Sequence, residues 1–163
     1  MGLYFLFILL FLFRVTESQS TAHTFNHTDL QAAIVDMRSK AYYGFTILLQ
    51  MLNETSLANS DLTFFMPNDR KLSESSISAN HLGDFLLSHS IPMPLHFSDL
   101  AHFPTGTVVP SDFSDRMIRI HNGGRGDFFV NNAQVTERNI CVNSVIKCHG
   151  IDAVIEYDNV SYS

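Results

Sequence analysis

The sequence predicts an α+β domain in which helices precede a meander of strands. Three observations predict it. Apolar residues recur at helical spacing between residues 28 and 53. A continuous apolar run of strand length stands at residues 62–66. From Thr107 onward, short β-branched and aromatic stretches alternate with Gly and Asn turn signals. Helices gathered before strands indicate α+β order rather than repeated βαβ units. At 163 residues and 45% hydrophobic content, the chain has material for one domain with its own core, so it needs no metal or disulfide framework to fold.

The first segment is not part of that domain. Residues 2–13 read GLYFLFILLFLF, an uncharged run of twelve followed by Arg14. A membrane span needs about 20 apolar residues. This run instead fits the apolar core of a secretory signal peptide over residues 1–18, with cleavage after Ser18 or Ser20. Residues 19–27 form a short lead-in, residues 28–158 the domain and residues 159–163 a tail. No apolar tail follows Asp158, so neither a glycolipid anchor nor any other stable membrane anchor is expected. The expectation is a soluble, secreted, extracellular protein.

Thr28-Asp29-Leu30-Gln31 reads as a capping box, with Thr28 as N-cap and Gln31 at N3. Leu30, Ala33, Ile34 and Met37 then share one helix face, and Phe45, Leu48, Leu49 and Leu52 repeat the spacing after an interruption at Gly44. The unbroken run at 62–66 suggests a central strand buried on both faces, stopped by Pro67-Asn68-Asp69. Residues 73–79 read as a loop or short helix. Residues 80–89 read as a helix with Leu82, Phe85, Leu86 and His89 on one side, ended by Pro92 and Pro94. Residues 97–102 suggest one short helical turn capped by Ser98. Short strands follow at 108–109, 117–120, 127–130, 134–135, 140–148 and 150–157, with turns at Gly123-Gly124 and Asn131-Asn132.

Ten basic against sixteen acidic residues give a net charge of −6. No basic stripe exists for nucleic acid. Cleavage after Ser18 removes one charge of each sign. All eight histidines remain, and full protonation would carry the chain from −6 to +2. That reversal would fall in a mildly acidic extracellular space unless several imidazoles are buried. Secretion also gives meaning to three glycosylation tripeptides, at Asn26, Asn53 and Asn159. Cys141 and Cys148 are an even pair in a secreted chain, which favours a disulfide over two buried thiols. If the flanking strands pair as a hairpin, the two face each other.

Three stretches resemble the fasciclin domain, and more closely its plant fasciclin-like versions. The run 62–69, LTFFMPND, is similar to the first fasciclin box, with Thr63, Phe64, Pro67 and Asp69 at its motif positions. Residues 81–95 are similar to the central helix and its tyrosine-histidine motif, with Ser88 at the tyrosine position and His89 at the histidine. Residues 130–135 with His149, Gly150, Ile151 and Asp152 are similar to the second box. The resemblance implies a wedge-shaped β-sandwich with helices packed on it. It also implies adhesion or matrix association outside the cell, in plants at the wall or apoplast, with no established catalytic chemistry and no cofactor. The partners it implies are matrix or wall glycans, or another extracellular protein. Many plant relatives are anchored arabinogalactan proteins. This chain has no Ala-Pro, Ser-Pro or Thr-Pro cluster, so the expectation is a lone secreted glycoprotein domain.

Other candidates have simpler readings. Arg125-Gly126-Asp127 spells an integrin-type tripeptide, but a polar Gly-rich turn explains every residue of it. His89, His96 and His102 are spaced by seven and six, wider than paired zinc ligands, so no metal is expected. Glu54, Asp61, Asp69 and Asp84 would be the source of a carboxylate pair in the alternative of a secreted hydrolase. Phe113, Phe128 and Phe129 are candidates for a glycan platform or for core. The remaining alternative is a passive structural wall glycoprotein.

Overall fold

The computed structural model describes residues 27–52, 57, 61–124 and 126–157. The expected signal peptide, Asn26, Asn53, Glu54, Arg125 and Asn159 lie outside the described residues.

The chain opens with α1 (His27–Ser39) and α2 (Tyr43–Met51). Leu30, Ala33, Ile34 and Met37 are buried, as their spacing predicts. The helix starts at His27, so Thr28 lies in the first turn and not at the cap. The interruption also falls elsewhere than expected. Ala41 takes φ +63°, and the N–H groups of Lys40 and Tyr42 both donate to Met37 C=O at 3.1 Å. Gly44 sits inside α2, where it serves close packing. Its N–H donates to Asp69 Oδ1 at 2.9 Å, and a Cβ there would stand 3.1 Å from Leu72 Cδ1.

Strand β1 (Thr63–Pro67) is buried at every residue. Phe64 and Met66 face one core cluster and Phe65 the other, the alternation a strand imposes. Pro67 ends the strand, but the chain passes directly into α3 (Asp69–Glu74), which the sequence reading did not resolve. Asn68 caps it by accepting from Lys71 N–H at 3.0 Å. A 3₁₀ turn (Ala79–His81) leads into α4 (Leu82–Ser88), close to the predicted helix. Strand β2 (Ser90–Ile91) and α5 (Phe97–Leu100) follow. Ser98 does not cap α5. His96 holds that position, and its N–H donates to the Asp99 carboxylate at 2.8 Å.

The meander consists of β3 (Val108–Pro110), β4 (Met117–Asn122), β5 (Phe128–Val130) and β6 (Ala133–Glu137), each antiparallel to the next. Asn131 and Asn132 form the predicted two-residue turn, with φ +52° at Asn131. Strand β7 (Lys147–Ile151) then inserts between β6 and β1, parallel to β1. The order is β2-β1-β7-β6-β5-β4-β3. This single seven-strand mixed order closes on its own core much as a barrel does. One core cluster lies under α1, α2 and α4, and the second lies within the curved sheet.

Two predicted strands are corrected. Residues 140–146 form no strand, and the donors in the middle of the stretch are captured by a helix. Asp36 on α1 accepts from the N–H groups of Val142 and Asn143 at 2.8 and 2.9 Å, and from Asn143 Nδ2 at 2.7 Å. The expected disulfide is present between Cys141 and Cys148, with Cα atoms 5.1 Å apart, but it closes this helix-pinned loop and not a hairpin. Residues 152–157 also leave the sheet. Asn132 donates to Val154 C=O and accepts from Glu156 N–H, while Asn131 donates to Glu156 C=O. Two turn asparagines thus do the work of a strand partner.

Burial raises the Asp36 carboxyl, but the hydrogen bonds from Asn143 and Val142 outweigh it and hold its pKa below the usual value. Asp36→Ala would leave backbone donors unsatisfied, at about 2–3 kcal/mol. Gly150 in β7 is closely packed: a Cβ there would lie 1.8 Å from Tyr42 Oη. Gly150→Ala is expected to destabilise by about 3 kcal/mol or more. Urea unfolding of both variants checks these outcomes, and a loss under 1 kcal/mol in either contradicts the packing described.

Candidate functional site

The motif residues of the two boxes lie side by side because β1 and β7 pair in parallel, with Phe64 opposite Cys148 and Pro67 opposite Ile151. Their polar groups serve the backbone. Thr63 Oγ1 donates to Met93 C=O at 2.6 Å and accepts from Leu95 N–H at 2.7 Å, fixing the proline-rich loop after β2. Asp69 holds the first turn of α2. Asp152 Oδ1 accepts from Gln134 N–H at 2.8 Å at the end of the β6–β7 pairing. Phe64 and Ile151 are fully buried.

The two motif histidines are also buried, and each bridges two backbone segments. His89 Nδ1 lies 2.8 Å from Phe85 C=O, and its Nε2 lies 3.0 Å from Ile155 N–H. A carbonyl only accepts and an amide N–H only donates, so the proton is on Nδ1. His149 is the reverse. Its Nε2 donates to Leu95 C=O at 3.0 Å, and its Nδ1 accepts from Asn139 N–H at 3.1 Å. Both rings must be neutral to make both bonds. Burial pushes each imidazole down to about 4, against the pull of its backbone carbonyl.

The His89 bridge forms the floor of a cleft of about 400 Å³. The loop after α3, the exposed side of α4, the turn before β4 and the final described residues line it. The turn at 111–116 is closed by Ser111 N–H donating to Arg116 C=O at 2.9 Å. It carries Phe113 and Arg116. The Arg116 guanidinium lies over the ring of Tyr157, 4.7 Å from its centroid, and 5.6 Å from that of Phe113. Tyr157 is held in turn, since its hydroxyl donates to Ser88 C=O. Burial raises its phenol to about 12. Opposite, His81 Nδ1 and Asp84 Oδ2 pair at 2.9 Å.

The Fasciclin domain family model matches residues 42–157, which takes in the sheet, α2 through α5 and the cleft. The chain belongs to the fasciclin family. It is 23% identical over 135 residues to a FAS1 domain-containing protein of Selaginella moellendorffii, covering 81% of this chain and 51% of that protein. It is similar in fold to the solved FAS1 domain pair of the insect cell adhesion molecule fasciclin I. That match has a TM-score of 0.58 and 16% identity, over 72% of this chain and 46% of the other. The fasciclin chain thus spans about half the length of each of these relatives.

Other candidates resolve differently. Phe128 is core, Phe129 is half-buried against His121, and only Phe113 borders the cleft. Gly126 and Asp127 lie in the loop between β4 and β5, where Gly124 and Gly126 take positive φ as the turn reading predicts. His89, His96 and His102 are not gathered. His89 is spent on its bridge, His96 starts α5, and His102 Nδ1 lies 2.6 Å from Ser98 C=O. Asp69 and Asp84 are engaged by Gly44 N–H and His81. The sequence does not single out Asp36, Arg116 and Tyr157, and it marks Asn131 and Asn132 only as a turn, not as the partners of residues 154–156. Asp36 alone left a signal, as a charge beside Met37 on an apolar stripe.

His89 and His149 are buried and stay neutral to about 4, so these two do not contribute to a charge reversal in a mildly acidic space. Stability responds instead. An unfolded imidazole takes up a proton below about 6.5 and these two folded ones do not until about 4, so the unfolded state binds more protons between those values. Stability therefore falls as the pH drops through that window. From pH 7 to pH 5 the pair is expected to lose about 3–4 kcal/mol, and His149→Gln to remove about half of that loss. Urea unfolding at both pH values measures it. A pH-independent difference between wild type and variant would contradict the two bridges.

Proposed function

We propose that this fasciclin domain acts outside the cell as a non-catalytic binding module in adhesion or matrix association. Its partner is a glycan or an extracellular protein, and in a plant its place is the wall or apoplast. The observation that carries this reading is the family match over residues 42–157, supported by the fold shared with the insect cell adhesion molecule fasciclin I. The chemistry agrees with it. The motif side chains hold backbone in place, and the cleft is preformed by fixed turns, which lowers the ordering cost of binding. The apolar run at 2–13 and the three glycosylation tripeptides support secretion as a glycoprotein.

Expression of the full chain in a secreting plant cell line tests the reading in two steps. The protein is expected in the medium, shortened at its N-terminus, with a mass that falls on endoglycosidase treatment. Applied to arrays of wall polysaccharides and matrix proteins at pH 5.5 and 7, it is expected to retain at least one class at micromolar affinity. Retention inside the cell would overturn the extracellular placement, and no binding on either array would overturn the binding role in favour of a passive structural one.

A further inference from the structure

We propose that the cleft beside Tyr157 takes a carboxylate-bearing saccharide, with Arg116 gripping the carboxylate. This rests on the reading of the chain as an extracellular binding module and names the ligand class.

The argument starts from the guanidinium. Arg116 is exposed, yet among the described residues it is in no ion pair. Its partners are ring faces, Tyr157 at 4.7 Å and Phe113 at 5.6 Å. A ring contact of this kind takes up no N–H as a hydrogen-bond donor, so the guanidinium donors stay unspent. Those donors suit a carboxylate in forked geometry. The group is also pre-positioned, because Tyr157 is anchored to Ser88 C=O and the 111–116 turn is closed by its own backbone bonds.

The rest of the lining suits a sugar better than a peptide. Ser76 and Ser78 lie on the opposite rim with exposed hydroxyls that make no hydrogen bond among the described residues. The Asp84 carboxylate is a further acceptor for ligand hydroxyls. Phe113 is half-buried at the wall, and an aromatic side chain offers an apolar face to the C–H side of a pyranose. The volume of about 400 Å³ suits one or two sugar rings. Charge narrows the class further. The chain carries −6, which repels a dense polyanion at long range. The ligand that fits is a mostly neutral oligosaccharide bearing an isolated uronic acid.

The test is calorimetric titration of the secreted full chain with an oligosaccharide carrying one glucuronic acid. The controls are the same oligosaccharide with its carboxyl reduced to a primary alcohol, and a glutamate-containing peptide of similar size. The acidic sugar is expected to bind at least about tenfold more tightly than either control. Arg116→Gln is expected to abolish that difference while keeping a cooperative unfolding transition lowered by only a few degrees, as loss of the ring contacts requires. Arg119→Gln, on the exposed side of β4, removes the same charge and is expected to leave the difference intact. Equal binding of the acid and its reduced form would overturn the proposal while leaving glycan binding in place. Peptide binding as tight as the acidic sugar would overturn the saccharide class, and no saccharide binding at all would overturn the site. None of these results would touch an adhesion function read on the protein array.

Discussion

Two neutral imidazoles hold together backbone that no strand ladder reaches. His89 ties the end of α4 to Ile155, and His149 ties β7 to the loops at Leu95 and Asn139. Each ring gives one donor and accepts one, which only the uncharged form does. In a site this buried, a charged ring would lose its acceptor and leave an amide unsatisfied. The parallel pairing of β1 with β7 places both motifs in reach of these bridges. The packing around them allows little slack, since Gly150 meets the Tyr42 hydroxyl where a Cβ would be.

The same logic runs through the other polar motif residues. Thr63, Asp69 and Asp152 each bind backbone groups of a distant segment. What they fix are loops, and loops form the cleft. The floor at His89, the anchor of Tyr157 on Ser88 and the turn carrying Arg116 depend on residues 152–157 lying where the asparagines and His89 hold them. The cleft on this fold is therefore a property of pinned loops over a rigid sheet.

Much of this was legible in the sequence. The helical stripes of α1 and α2, the doubly buried β1, the helix before His89 and the Asn131-Asn132 turn followed from spacing and turn chemistry. The failures have one physical cause. Residues 140–146 and 152–157 look like strands by composition, but key hydrogen-bond partners are side chains outside the local window, Asp36 over a hundred residues away in the first case and the two asparagines over twenty residues away in the second. A local pattern carries no trace of either. The cleft was hidden for the same reason. Phe113, Arg116 and Tyr157 come from separate segments, and nothing in their spacing draws them together. The motif residues were legible through resemblance, which marked His89 and His149 without saying which nitrogen of each carries the proton.

That proton placement tests the account most directly. Nitrogen-15 NMR of the imidazoles at pH 5.5 separates the two tautomers and the charged form. The account predicts two non-titrating rings, His89 protonated on Nδ1 and His149 on Nε2, both unchanged between pH 7 and 5. Rings that titrate near 6.5, or that share one tautomer, would contradict it.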